Sequence, residues 1–188
     1  AENQHIQHFI RLISHALPIE SQMRAQLCNH LNAEVHAGTI TSVAEGVKWL
    51  EYTYLWQRIR ANPLAYGLTV MKVRQDPNLK SARYEILDEA ACALHEACMV
   101  RYNPETGSLD TTDFGRIASH FYIEHVTMST FQEKLRRRDG TMIDTLDFGE
   151  GLNLIACANE FSQLKARADE IEELMKIQSK FPPFVQKI

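Results

Sequence analysis

Residues 42–62 read SVAEGVKWLEYTYLWQRIRAN, and this stretch organises the predicted fold. Ser42 and Glu45 together form a capping-box signature, which predicts that a helix begins here. The helix should end before Pro63, because the residue that precedes a proline is sterically pushed out of helical geometry. We therefore predict one continuous helix that ends at about Ala61.

This predicted helix carries apolar side chains on two opposite faces. At about 100° per residue, four such side chains lie on each face: Val43, Val47, Leu50 and Tyr54 on one, and Trp49, Tyr52, Trp56 and Ile59 on the other. A helix that is apolar on both sides is typical of one packed between two neighbours. We therefore predict a central, sandwiched helix whose face with Trp49 and Trp56 docks against another domain.

The composition excludes several classes of protein. The chain has 188 residues, of which 45% are hydrophobic, and a formal net charge of −4. The apolar fraction argues against disorder, and the negative charge argues against binding nucleic acid by charge alone. No apolar run approaches the roughly 18 residues of a membrane span, so no membrane partner is predicted. Four scattered cysteines without a CxxC pair favour reduced thiols in a nuclear or cytosolic protein.

The rest of the sequence predicts a mainly α-helical fold with one β-hairpin. Helical spacing of apolar residues predicts further helices over residues 3–16, 20–36, 78–99, 112–122, 127–137, 151–159 and 166–180. Residues 99–102 and 108–111 flank a turn that contains Pro104 and Gly107, which is typical of a hairpin. Three helices followed by a hairpin wing are the winged-helix arrangement.

No catalytic or metal site is evident in the sequence. It contains no GxxxxGK[ST] phosphate loop, no GxSxG elbow and no HExxH pair. His5 and His8 could share a helix face, but no third ligand lies nearby in sequence, so surface histidines are the better interpretation. We predict no catalytic residue, cofactor or metal in this chain, which by itself is not an enzyme.

Several arginines are candidate binding residues. The run Arg136, Arg137 and Arg138 could contact nucleic-acid phosphates, or could be the solvated end of a helix. Arg58 and Arg60 could pair with nearby acids, touch nucleic acid or dock on another domain, and the sandwiched helix favours pairing and docking. Direct DNA recognition is disfavoured, because the exposed face of the helix before the wing is acidic.

A family resemblance extends from about residue 17 to 175. It rests on ordered segments, namely LPIESQ at 17–22, LNAE at 31–34, WLEYTYL at 49–55, RANPLAYG at 60–67, GRIASHFY at 115–122 and NEF at 159–161. This series resembles the segment after the two RecA domains of large DExH helicases with Sec63-type modules. Within this family, the series resembles the spliceosomal RNA helicases and the helicase subunits of the activating signal cointegrator complex.

The resemblance implies a division of the chain and its partners. Residues 1–16 would connect from an upstream motor domain, residues 17–122 would form the winged helix, and residues 123–188 would begin an incomplete helical bundle. ATP, Mg²⁺ and unwinding would belong to the RecA domains of a longer parent helicase. Partners would be those domains, the rest of the bundle, RNA or single-stranded nucleic acid, and subunits of a large nuclear complex. Gly115 would let backbones approach closely, and Arg116 would pair across the domain junction.

The predicted function is therefore a non-catalytic structural module of an ATP-dependent nuclear RNA helicase. The spliceosomal type, which unwinds small nuclear RNA duplexes, is slightly preferred over the cointegrator-complex type with roles in DNA repair or ribosome quality control. The expected location is the nucleus, with the cytoplasm as the alternative. The sequence is also compatible with a free-standing winged-helix nucleic-acid-binding protein or with a pure docking scaffold.

Overall fold

A computed structural model describes residues 2–14, 18–136, 143 and 145–162, and positions 164, 167, 170, 171, 173 and 175. The helices are α1 (Glu2–Ile13), α2 (Leu27–His36), α3 (Val43–Glu51), α4 (Tyr54–Ala61), α5 (Val70–Gln75), α6 (Lys80–Glu96), α7 (Asp113–Phe121), α8 (His125–Leu135) and α9 (Phe148–Ala156). Two 3₁₀ turns cover Pro63–Tyr66 and Asn159–Phe161, and the strands are β1 (Val100–Asn103) and β2 (Ser108–Thr111). The predicted mainly helical fold with one hairpin is confirmed.

The wing is an antiparallel hairpin held to the rest of the domain by the residues before α3. Val100 lies opposite Thr111, and Asn103 lies opposite Ser108. The other edge of β2 is also paired, because the Leu109 amide donates to the Thr41 carbonyl at 2.8 Å. The Val43 amide donates to the Gly107 carbonyl at 2.9 Å. The wing is therefore fixed to the start of α3 rather than free in solvent.

The stretch predicted as one helix is two helices separated at Tyr52 and Thr53. The Thr53 hydroxyl donates to the Leu50 carbonyl at 2.7 Å and accepts the Trp56 amide at 3.3 Å. It thus ends one helix and caps the next, as threonine hydroxyls do when they compete with the main chain for hydrogen bonds. The predicted start at Ser42 and the predicted end before Pro63 are both confirmed.

The break corrects the prediction of a sandwiched helix. It turns α4 so that Trp56 and Ile59 enter the same core as Leu50, with exposed fractions of 4%, 0% and 0%. Tyr52 and Tyr54 are turned outward, and Tyr52 is 90% exposed. The two apolar faces seen in the sequence therefore supply one core, because the change of direction brings the second face round to the first.

The core lies where α2, α3, α6 and α7 meet behind the wing. The buried face of α6 is rich in small residues, with Ala82, Ala90 and Ala91 buried, and Ala97 directly after the helix is buried as well. Gly46 of α3 lies against this face, and a Cβ atom there would stand 3.0 Å from Leu87 Cδ1. Small residues on both helices thus allow close approach. No helix in the described part of the chain is long and apolar enough to cross a membrane.

Candidate functional site

Arg58 is held in an internal cluster around Glu20. The Arg58 guanidinium contacts the Glu20 carboxylate through Nε at 3.2 Å and Nη2 at 2.8 Å. The Tyr66 hydroxyl donates to the same carboxylate at 2.7 Å, and Asn62 Nδ2 donates at 3.3 Å. These hydrogen bonds hold the segment before α2 against α4 and the following 3₁₀ turn. Of the roles considered for Arg58, internal pairing is the one that the structure shows.

This cluster predicts that the free energy of unfolding falls at acid pH. The hydrogen bonds from Arg58 and then Tyr66 lower the pKa of Glu20 from 4.5 to about 2. Between these values the unfolded chain binds more protons, so the contribution of Glu20 is complete above pH 4.5 and is lost as the pH falls through about 2. We expect Glu20→Gln to flatten the fall in free energy of unfolding over that window, measured by urea denaturation at several pH values.

The matched control is Glu105→Gln in the wing turn, because the Glu105 side chain makes no hydrogen bond within the described residues. It should leave the pH dependence unchanged. Parallel pH curves for the wild type and Glu20→Gln would contradict a stabilising role for the cluster.

The second cluster lies on the opposite side of α4, where Arg83 of α6 reaches across. Its guanidinium forms an ion pair with Glu51, and its Cζ stands 5.1 Å from the centre of the Trp56 ring. Trp56, predicted to lie on a docking face, is therefore a core residue covered by a cation. Trp49 is partly buried and packs against the same core. Arg60 is exposed and lines a groove beside this cluster.

Gly115 lies at a point where three segments meet without room for a side chain. A Cβ atom on Gly115 would overlap the main-chain oxygen of Met99 and stand 2.7 Å from Asn32 Oδ1. Asn32 is itself buried, and its Nδ2 donates to the Gly115 carbonyl at 2.9 Å. The close approach implied by the resemblance is thus present. In this structure Arg116 pairs with Asp113 at 2.7 Å within the same helix.

The beginning of α8 is tied to segments on both sides, and we call this set of contacts the joint. The Glu160 carboxylate accepts the Glu124 amide at 2.8 Å and the hydroxyl of buried Thr127. The Thr127 hydroxyl also accepts the Asn159 amide at 2.8 Å, and Asn159 Nδ2 donates to the Glu124 carboxylate at 2.6 Å. Partial burial would raise the pKa of Glu160, but these hydrogen bonds outweigh it and hold that pKa below its ordinary value.

The joint also reaches back to α2. The His125 amide donates to Asn29 Oδ1 at 2.9 Å, and His125 Nδ1 lies 3.2 Å from the same oxygen. One turn of α8 therefore contacts both the helix that opens the winged-helix core and the 3₁₀ turn after α9. Hydrogen bonds from both sides fix the direction in which α8 leaves the domain.

Of the three arginines predicted to contact phosphates, only Arg136 is among the described residues, and it directly follows α8. Arg136 lies beside Glu96 and Glu133 in a shallow groove of ≈ 350 Å³. Arg137 and Arg138 fall outside the described residues. A phosphate contact by these three arginines stays a prediction, as does docking by Arg60 and Arg116.

Sequence reasoning missed the two carboxylates at which these clusters converge. Glu20 lies 38 residues from Arg58, and Glu160 lies 33 residues from Thr127. Both nevertheless stand inside segments quoted for the family resemblance, LPIESQ and NEF. A charged residue within such a segment, next to polar neighbours, was the signal that could have found them.

Comparison with known proteins assigns the chain to a family. Residues 20–100 match a family described as a winged helix-turn-helix domain, and residues 111–187 match the Sec63 Brl domain. Activating signal cointegrator 1 complex subunit 3 from Rattus norvegicus and from Homo sapiens is 41% identical over 176 residues, covering 94% of this chain. The U5 small nuclear ribonucleoprotein 200 kDa helicase of Drosophila melanogaster is 36% identical over 177 residues, with the same coverage.

The chain belongs to this family of helicase-associated winged-helix and Sec63 domains. It is a structural module of the helicase type, and it spans about 8% of the length of these relatives. The cointegrator-complex subunit and the U5 helicase each match 94% of this chain. The preference for the spliceosomal kind, and the domain boundary near residue 123, therefore stay predictions.

Proposed function

We propose that this module connects the motor of an ATP-dependent RNA helicase to its helical bundle and fixes the angle between them. The observation that carries the proposal is the joint, where Glu160 and Asn29 hold the first turn of α8 from two sides. A helix tied at its start to both neighbouring segments cannot swing independently of the winged helix. Force generated in one part would then move the other part.

The other clusters support the same role. The Glu20 cluster fixes the chain that enters α2, and Gly115 lets α7 lie directly against the end of α6 and β1. Specific contacts thus hold both the segment that enters α2 and the helix α7. The described surface offers no group of side chains arranged for catalysis. Hydrolysis of ATP with Mg²⁺ would be carried out by RecA domains elsewhere in the parent protein.

The cellular setting is part of the proposal, and the names of the relatives support it. One relative is named as a complex subunit and the other as a small nuclear ribonucleoprotein helicase. We place this module in a helicase of a large nuclear assembly that acts on RNA. The spliceosomal kind and the cointegrator-complex kind are both candidates, and their identities to this chain are 36% and 41%, respectively.

Loosening the joint is the test of this proposal. Glu160→Ala removes the acceptor shared by the Glu124 amide and Thr127, so we expect hydrogen exchange at the start of α8 to accelerate by about tenfold. In a full-length helicase carrying this module, the same change should lower unwinding per ATP hydrolysed, because the bundle is no longer held at one angle.

The control is Glu150→Ala, since Glu150 caps α9 locally with Asp147 and makes no hydrogen bond to another element in the described residues. It should leave α8 exchange and unwinding unchanged. Faster exchange in Glu160→Ala together with unchanged unwinding per ATP would show that the joint is not the mechanical link.

A further inference from the structure

We propose that the groove beside the break between α3 and α4 binds single-stranded nucleic acid. The proposal rests on the helicase role above and adds a contact site, which we call the break groove. Its volume is ≈ 630 Å³, and it is lined by Glu51, Tyr52, Trp56, Gln57, Arg60, Pro77, Asn78, Lys80 and Arg83. The groove thus brings together α3, α4, the turn before α6 and the first turn of α6.

The charge of the break groove is locally positive although the chain is acidic overall. Its lining has three cations and one carboxylate, and the carboxylate of Glu51 is held by Arg83. Arg60 and Lys80 are exposed and form no salt bridge with any residue that the structure describes. Two cations on facing elements are therefore available to a phosphate backbone.

The groove also offers a free aromatic surface. Tyr52 is 90% exposed, because the break points it away from the core. Trp56 is buried and its ring already carries the Arg83 guanidinium, so the face available for stacking is that of Tyr52. An exposed aromatic ring beside a cationic track is how proteins hold single strands without reading their sequence.

The polar lining favours a single strand over an acidic peptide. Gln57 and Asn78 present amide groups on the groove wall, and amides can both donate to and accept from bases. A carboxylate-rich peptide would use the cations but would gain little from an exposed tyrosine ring. The acidic peptide is therefore the competing outcome in the test.

The test measures binding of a short fluorescent oligouridylate to the 188-residue chain by anisotropy at increasing salt. We expect weak, salt-sensitive binding that the double change Arg60→Ala with Lys80→Ala reduces at least tenfold. The salt slope should also fall by about 1.4, which corresponds to two lost phosphate contacts on a single strand. Tyr52→Ala should weaken binding by about tenfold, whereas Tyr52→Phe should keep it.

Arg101→Ala is the matched control, because Arg101 is an exposed cation on β1, on the wing and not among the residues that line the groove. It should leave binding unchanged. A photo-crosslink from an oligonucleotide containing 4-thiouridine should map to the peptide that carries Tyr52.

Three outcomes would overturn the break groove as a nucleic-acid site. They are no binding at low salt, an equal loss in Arg101→Ala, and a glutamate-rich peptide that binds as tightly and is equally weakened by the Arg60 and Lys80 changes. None of these affects the joint, since Glu160→Ala is read out by exchange and by unwinding per ATP. The two proposals can therefore fail separately.

Discussion

Gly115→Ala should be among the most destabilising single changes in this chain. The added Cβ atom would overlap the carbonyl oxygen of Met99, which is main chain and cannot rotate away, and would crowd the buried Asn32 side chain. Overpacking of a rigid site commonly costs about 1–3 kcal/mol, and a clash with backbone places this site at or above the upper end. We expect a loss of about 3 kcal/mol or more in the free energy of unfolding, measured by urea denaturation.

Gly151→Ala is the control for this change. Gly151 lies within α9, and a Cβ atom there would meet no heavy atom within 4 Å. Alanine should be neutral or stabilising by up to about 1 kcal/mol, since it is the better helix former. If the Gly115→Ala chain were as stable as Gly151→Ala, α7 could move away from Met99. The assignment of Gly115 to a closely packed contact with Met99 would then be wrong.

Trp56→Ala and Leu50→Ala should cost comparable amounts of stability. Both side chains are buried in one core, so truncation should cost about 3–5 kcal/mol for the tryptophan and about 2–5 kcal/mol for the leucine. Loss of Trp56 also leaves Arg83 without the ring that it covers. A docking face would have given Trp56 a smaller loss than Leu50, and the burial of both side chains in one core removes that difference.

Tyr52→Ala tests an exposed aromatic side chain in the same stretch. It therefore separates the effect of burial on stability from the effect of losing an aromatic ring. With 90% of its surface exposed, Tyr52 should change the free energy of unfolding by no more than about 0.5 kcal/mol. Denaturation of the three variants under one condition checks the order. If Trp56→Ala were as mild as Tyr52→Ala, the assignment of Trp56 to the core would be wrong.

Features governed by neighbouring residues were predictable from the sequence. Ser42 marks the start of α3, and Pro63 marks the end of α4, because caps and prolines act within a turn. The hairpin was evident from its turn residues, and Gly107 indeed takes a positive φ of 71° there. The helix and hairpin pattern predicted the winged helix, and the family resemblance added the beginning of the Sec63 region.

Features that depend on distant partners were not predictable. The charge on Glu20 says nothing about Arg58 until the fold brings α4 alongside, and the same holds for Glu160 and Thr127. The prediction of one continuous helix through Thr53 failed for a different reason. A threonine hydroxyl can be satisfied either within a continuous helix or as the cap of a new one. Only the burial of Trp56 and Ile59 in the shared core decides between the two.

The break at Thr53 also restricts how the length of this part of the chain can change during evolution. Inside α3 or α4, one inserted residue would rotate all that follows by about 100° and move Leu50 or Ile59 out of the core. At the break, an extra residue would separate the Leu50 carbonyl from the Trp56 amide, which the Thr53 hydroxyl now joins. Related sequences should therefore keep the length of this stretch, which agrees with its place inside the segment at 49–55 on which the family resemblance rests.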